Sequence, residues 1–447
     1  MKGVRIVLLV SSKIRDLAGL TYFKLLLEAR GASVRLVNTL NWRYAFAYRP
    51  HLVMLPSIWN PDGVGDVVDA FKSRGILLGF LPTEGVLRCD EEVSLIYGDD
   101  LDAVRKIDVT FVWGEALQSI LGRYYGLPPE SLELCGSLRF DLYRPPLSRL
   151  YFTDRASFCE RLGLNPEWPI ITWATGYPGA ERFRERVHQG LDEASFKGLQ
   201  IPGFTGLQFA RMQLAAQDAA FAAVGTLVRA LPNANLIIKV RPDETTKLYD
   251  QFRADNPGGA RVVVVKEEPV FTLVQASDVW VHWNSTTSTE AWFYDLPTVN
   301  LFAGAAREYC LEEMSGGSVP AYTEDDLYDT VSRFLKDPAI PAELEGPRKE
   351  FIRKWFYRID GQAGARHVAA VERLLGRVGR PAAPPLDAMA LRMKTLQAAK
   401  RALGREPYET LRFWSPSPWS SAGLASQAEI DVQERAIASV LVQGTRA

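Results

Sequence analysis

The sequence predicts an α/β protein made of two doubly wound, parallel-sheet units. Three observations predict it: the chain length, short Val/Ile/Leu runs alternating with longer helical stretches, and a proline-stiffened break separating two such series. At 447 residues the chain exceeds what one hydrophobic core usually holds, so two domains are expected. Continuous apolar runs, as opposed to an apolar/polar alternation, are the pattern of strands covered by helices on both faces.

In the first series strands are expected at residues 4–10, 33–37, 51–55, 76–81, 109–113 and 132–135, with helices over 17–30, 63–73 and 117–125. Residues 143–150 interrupt the series, because Pro145 and Pro146 stiffen the backbone and remove two amide donors. This segment reads as an interdomain linker closing a first domain of residues 1–150. A second series has strands expected at 169–175, 236–240, 262–265, 279–282 and 298–301, within a domain of residues 165–345. The interval 176–208 is long, polar and glycine-interrupted, the pattern of a functional loop. Residues 346–378 read as amphipathic helices crossing back to the first domain. Residues 379–447 form a Gly/Pro linker, a basic helix and a Trp/Pro/Ser-rich tail.

Lysine plus arginine number 52 and aspartate plus glutamate 53, a balance that argues against nucleic acid as a partner. The four cysteines, Cys89, Cys135, Cys159 and Cys310, form no CxxC pair, as expected for reduced thiols in a cytoplasmic protein. The apolar run at 6–10 is too short for a spanning helix, and no cleavage pattern follows it. Membrane contact is therefore expected to be at most peripheral, at the inner face.

The strongest local feature is the expected strand at 279–282 running into Trp283-Asn284-Ser285-Thr286-Thr287-Ser288-Thr289-Glu290 and then a helix. A helix start offers unpaired amides and the positive end of a dipole, which suits a phosphate. In an open α/β sheet ligands also gather at the carboxyl ends of strands. A single capping hydroxyl would explain one Ser or Thr; here every position from Ser285 to Thr289 carries one. A second buried strand ends in Arg241-Pro242-Asp243-Glu244, where Arg241 could clamp a diphosphate bidentately. His282 could touch the same ligand or sit satisfied in the core. In the first half Glu84, beside Gly85, is a candidate general base whose pKa a dry cleft would raise, although a surface-loop glutamate is the plainer account. Lys13, Arg15, Thr83 and Arg139 are candidates to line an acceptor cleft, and Asp16 reads as the cap of the first helix. No metal site is expected: His51, His188, His282 and His367 are not paired at ligand spacing, and Asp100-Leu101-Asp102 reads as solvated.

Together, Lys13-Ile14-Arg15-Asp16-Leu17, Asn41-Trp42-Arg43, Arg49-Pro50-His51, Pro82-Thr83-Glu84-Gly85, Gly136-Ser137-Leu138-Arg139-Phe140-Asp141, Arg241-Pro242-Asp243-Glu244, the Ser/Thr turn with Glu290-Ala291, and Trp355-Phe356-Tyr357-Arg358-Ile359-Asp360-Gly361 resemble the bacterial surface carbohydrate biosynthesis protein family. That family is similar to the CDP-glycerol glycerophosphotransferases and other GT-B enzymes. The resemblance spans roughly residues 4–376. It implies a GT-B fold: two facing Rossmann-like domains, acceptor in the first and nucleotide donor in the second, a C-terminal helix at 351–375 crossing back, and a helical or extended tail. It also implies a metal-independent glycosyltransferase with no cofactor. Its donor would be a nucleotide-sugar, CMP- or CDP-linked in preference to UDP, held by Arg241, Glu244, His282, Asn284, Ser285 to Thr289 and Glu290. Its acceptor would be a carbohydrate activated by Glu84. Where related enzymes carry His-Pro this chain has Arg241-Pro242, keeping the charge but losing a titratable imidazole. Where they carry Gly-Asn-Pro-Arg it has Gly136-Ser137-Leu138-Arg139.

Two rivals stand beside this reading. A non-hydrolysing UDP-sugar epimerase is similar in fold but carries a Gly-Thr-Arg-Pro-Glu turn where this chain reads Ser11-Ser12-Lys13-Ile14-Arg15. A nucleotide-binding scaffold without catalysis is the other. In the tail, Arg392, Lys394, Lys400, Arg401 and Arg405 with Trp414 and Trp419 could rest on an anionic membrane; a solvated strap over the domains is the preferred account.

Overall fold

The structure is a computed structural model that describes the chain except residues 58–66, 151, 153, 197–200, 243, 258–260, 305–308, 380, 381, 383, 404–423 and 445–447. The chain divides into two compact units. One comprises Met1–Leu150 together with Arg353–Ala447, the other Tyr151–Ile352.

In the first unit β1 (Arg5–Val10), β2 (Ser33–Asn38), β3 (Leu52–Leu55), β4 (Leu77–Phe80), β5 (Val109–Val112) and β6 (Leu132–Leu134) form one sheet in the order β2-β1-β3-β4-β5-β6. Every pairing in it is parallel. The second unit holds β7 (Ile170–Ala174), β8 (Asn235–Lys239), β9 (Arg261–Val265), β10 (Val279–His282), β11 (Thr298–Leu301) and β12 (Val319–Ala321) in the order β12-β11-β10-β7-β8-β9, again all parallel. Two six-stranded doubly wound sheets are the fold class the sequence predicts. The central strands are almost wholly buried, which is why their sequences are mainly apolar. Each unit has its own apolar core, one around Ile6, Phe23 and Phe111, the other around Trp173, Ile238 and Val299.

Several expectations need correction. The first helix begins at Lys13, not residue 17, so Asp16 lies inside its first turn. The capping position belongs to Ser12, whose own amide and the Ser11 hydroxyl both donate to the Asp16 carboxylate, at 3.1 and 2.7 Å. The segment around Pro145 is not a bare linker: 3-10 turns at Leu138–Tyr143 and Leu147–Arg149 bury Phe140, Leu142, Tyr143 and Leu147. The interval 176–208 is not an extended loop. It holds the helix Ala180–His188, a turn at Glu193–Phe196 and the start of the long helix Gly206–Ala230, which Thr205 and Gln208 cap reciprocally. β12 went unread because Pro320 leaves a three-residue edge strand with almost no apolar pattern.

The expected single helix at 351–375 is two helices, Ala342–Phe356 and Ala363–Val378. Tyr357 and Gly361 between them take positive φ values of 63° and 72°, which a helix cannot continue through. The tail contains the expected basic helix, Ala388–Ala402, and a second one, Gln427–Gly444. Lys400 is buried, with its ammonium 4.7 Å over the Tyr44 ring, so it is not available to a membrane; Arg405, Trp414 and Trp419 lie outside the described residues. The last helix packs on the first through Lys13–Glu429 and Lys24–Glu434 ion pairs, at 2.8 and 2.7 Å. Among the described residues no helix is long and apolar enough to cross a membrane.

Candidate functional site

In the second unit the turn after β10 divides its hydroxyls into two sets. The helix that follows is short, Thr287–Trp292. Ser288 and Thr289 are fully buried and donate to the backbone carbonyls of Ser285 and Thr286, at 2.8 and 2.6 Å. Their hydroxyls are therefore structural. Ser285, Thr286 and Thr287 are half-buried, and Ser285 Oγ lies 3.0 Å from Thr287 Oγ1. Asn284 takes a positive φ of 43°. Its amide nitrogen donates to the Tyr309 carbonyl and its amide oxygen accepts from the Leu311 N–H, both at 3.2 Å. The side chain expected to hold donor thus ties down a neighbouring loop. Glu290 is buried.

His282 is buried beneath this turn. Its Nδ1 accepts the Ser285 N–H at 3.4 Å and its Nε2 faces Ser318 Oγ at 3.0 Å. Burial, with Arg348 adding to it, drops its pKa to about 3, so the ring is neutral and the Nε2 proton points to Ser318. Ser318 Oγ lies 2.8 Å from Thr298 Oγ1, which accepts from Arg348 Nη2 at 2.9 Å and from Trp292 Nε1 at 3.0 Å. Arg348 also donates to the carbonyls of Gly317 and Leu296. Among the described residues no carboxylate pairs with Arg348, and burial lowers its pKa to about 10. A buried, still protonated guanidinium is thus linked to the turn by a relay of hydroxyls and an imidazole, with the Asp295 carboxylate supporting its charge. Sequence reasoning missed Arg348, which carries no local sign of burial, since a helical Arg is normally solvated.

At the end of β8, Lys239 closes a fully buried strand. Burial pulls its ammonium down to about 8, with Glu268 working the other way. A lysine ending a strand whose middle is Leu236-Ile237-Ile238 is the signal in the sequence for this residue. Arg241 is half-buried, with its N–H donated to Thr175 Oγ1 at 3.0 Å. Glu244 is buried; it accepts the Tyr177 N–H at 2.9 Å and the Tyr249 hydroxyl, so it braces the strand ends. Asp243 lies outside the described residues. In sheet order β10-β7-β8, one strand separates the hydroxyl turn from Lys239 and Arg241, about 10 Å at ordinary strand spacing.

In the first unit a small cavity opens at the carboxyl ends of the strands. Leu9 of β1, Met54 of β3, Leu81 and Thr83 after β4, Trp113 after β5 and Ser137 after β6 all border it, along with Arg15, Asp16 and Arg139. β1 and β3 flank the point where strand order reverses, where doubly wound sheets hold ligands. Arg15 donates to Asp16, Glu84 and Thr83 Oγ1. Burial opposes its charge, but the paired Asp16 and Glu84 outweigh that and hold the guanidinium above its ordinary range. Arg15 engages Oε1 of Glu84; no described residue hydrogen-bonds Oε2. Arg139 stacks its guanidinium 5.2 Å over Trp113, whose indole N–H donates to the Pro82 carbonyl at 3.0 Å. Gly85 is required there, since a Cβ at that position would fall 2.0 Å from the Trp113 ring. Of the predicted acceptor residues, Arg15, Thr83 and Arg139 come together, whereas Lys13 is turned to Glu429. Asp16, for which capping was the plainer expectation, lines the cavity too, and Trp113, Ser137 and His367, also in the lining, were not anticipated.

Among the described residues no group of three or more His, Cys, Asp or Glu is placed to hold a metal, and all four cysteines are free.

No protein-family model matches the chain, and no curated protein sequence matches it. Solved structures do match in fold. UDP-GlcNAc 2-epimerase from Neisseria meningitidis bound to UDP-GlcNAc shares 12% identity over 83% of this chain and 100% of that one, with a TM-score of 0.53. The S. aureus MnaA–UDP structure shares 13% over 86% and 100%, with a TM-score of 0.52. The wall teichoic acid polymerase TagF shares 10% over 84% and 90%, with a TM-score of 0.53. The fold expected from the sequence, GT-B with its two Rossmann-like α/β units, is the one these proteins share with this chain.

Proposed function

We propose that this protein is a metal-independent glycosyltransferase that moves a glycosyl or related group from a nucleotide-activated donor, cytidine-linked in preference to uridine-linked, to a surface-polysaccharide or glycoconjugate acceptor. One observation carries the reading: within one sheet, a half-buried hydroxyl turn backed by the buried cation Arg348 sits one strand from Lys239 and Arg241. Fixed dipoles and cations of that kind stabilise a departing nucleotide diphosphate without reorganising. The likeness in fold to TagF and to enzymes bound to UDP or UDP-GlcNAc supports it.

In this reading the second unit holds the nucleotide and the first unit's cavity holds the acceptor. Glu84 takes the acceptor hydroxyl's proton at Oε2, the oxygen attacks the donor's anomeric carbon, and the bond to the diphosphate breaks with its electrons going to the nucleotide. Arg241 and the Ser285–Thr287 hydroxyls then carry the leaving charge.

The test is a thermal-shift panel of CMP, CDP, UDP and GDP, with and without Mg²⁺. Cytidine or uridine diphosphates are expected to raise the melting temperature without the metal, and Arg241→Ala to abolish the shift. A panel without stabilisation by any of the four would sink the reading. The epimerase remains the second reading, since the epimerase structures are matched over 100% of their length. Incubation with UDP-GlcNAc alone separates the two: an epimerase yields the C2 epimer, detected by proton NMR, with no acceptor present.

A further inference from the structure

His367 sits on the helix Ala363–Val378, distant in sequence from every other residue of the first unit's cavity, yet it lines that cavity. The ring is buried, stacked on Phe111 at 4.8 Å and edge-on to Phe23 at 5.6 Å. Its Nδ1 lies 2.8 Å from the Ala363 carbonyl oxygen. A carbonyl can only accept, so Nδ1 carries the proton and Nε2 is left as a lone-pair acceptor. Burial keeps the ring in this neutral form, with its pKa lowered to about 4. No described residue hydrogen-bonds Nε2. An acceptor on a residue that lines the cavity, with no described donor of its own, is open to an O–H group of a bound molecule.

The rest of the lining states what that partner is. Leu9, Leu20, Met54, Leu81 and Leu138 supply apolar walls, while Asp16, Thr83 and Ser137 place hydroxyl-accepting oxygens at the border. Arg15 in this lining is already paired with Asp16, and with Glu84 beside the cavity, so its charge is neutralised locally. Apolar faces with a border of acceptors match a neutral pyranose, whose ring carbons are apolar on their faces and whose edge is a row of O–H donors.

We propose that this cavity binds an uncharged pyranose and that His367 reads one of its hydroxyls by accepting its hydrogen bond at Nε2, making His367 a specificity residue for the acceptor. The proposal rests on the glycosyltransferase reading but is separable from it. The experiment titrates the full chain with glucose, galactose, mannose and N-acetylglucosamine by ligand-observed NMR, and separately with CDP and UDP by thermal shift. At least one sugar is expected to bind wild type, His367→Phe to weaken it at least roughly tenfold, the loss of one buried hydrogen bond, and His367→Gln, which keeps an acceptor, to stay close to wild type. The nucleotide shift should be unchanged in both variants. A long-range ¹H–¹⁵N spectrum of wild type needs no variant: sugar binding should move the His367 Nε2 resonance upfield. Nucleotide binding with no sugar bound, equal sugar binding by His367→Phe, or an unmoved Nε2 resonance would overturn the proposal; loss of nucleotide stabilisation in wild type would instead overturn the reading beneath it.

Discussion

His282 Nε2 lies 3.0 Å from Ser318 Oγ, and this contact connects the Ser285–Thr287 turn to the buried guanidinium of Arg348. Neutral imidazole is the only form that satisfies it, because the same ring accepts the Ser285 N–H at Nδ1. Protonation would replace that acceptor with a second donor, beside a cation.

The first prediction follows from that geometry. His282 and His367 have folded pKa values of about 3 and about 4, below the ordinary 6.5. Between those values and 6.5 the unfolded chain binds more protons than the folded one, so stability present above pH 6.5 is lost as pH falls. Asp141, raised to about 6 by burial, works the opposite way between 3.8 and 6. The protein should lose stability from pH 7 to pH 5, and His282→Asn should flatten that loss by ~2 kcal/mol. Urea melts across pH check it; equal slopes for the two proteins would contradict the assignment.

Arg348 should be costly to replace. Arg348→Met leaves the carbonyls of Gly317 and Leu296 and the Thr298 hydroxyl without their donor, a loss of about 2–4 kcal/mol. CDP and UDP affinity should fall as well, because the cation behind the turn is gone. Arg348→Lys restores charge but not the fork and is expected to lie between the two. Chemical unfolding with nucleotide titration reads both effects.

Gly85→Ala tests the Trp113 platform. The added Cβ would meet the indole ring at 2.0 Å, so Trp113 must move and Arg139 with it. The expected cost is about 1–3 kcal/mol, with sugar binding lost and the nucleotide thermal shift retained. Tryptophan fluorescence and the two binding assays separate these outcomes.

Asp141 holds the amino end of the helix that carries His367, accepting the Ala363 and Gly364 N–H groups at 3.0 and 2.7 Å. Asp141→Ala should destabilise the protein by about 2 kcal/mol through the lost cap. The His367 ring, one turn further on, should shift with the helix. The melting temperature reads the first effect and the histidine ¹⁵N resonances the second. Unchanged resonances would show that the cap does not position the ring.

Much of the fold was legible because a parallel strand buried on both faces is a predominantly apolar run, and Ile170–Ala174 or Val279–His282, each with one polar residue, can be read as little else. The long helix Gly206–Ala230 was missed since its many alanines and buried Gln213 and Gln217 blur the helical stripe. Of the site, Arg15, Thr83 and Arg139 were legible as polar residues following strands. His367 and Arg348 were not, because nothing near them in sequence distinguishes a buried polar residue from a solvated one.

By itself the sequence determined two parallel α/β units and where their strands end, since those follow from hydrophobic runs and turn residues that are neighbours along the chain. Only the tertiary structure decided which residues of Ser285–Thr289 stay half-buried, that Glu244 and Asn284 brace loops, and that His367 completes the cavity with Arg15. Those outcomes depend on side-chain direction and on residues far apart in the chain, Arg15 and His367 being 367 − 15 = 352 positions apart, and packing alone brings such residues within reach.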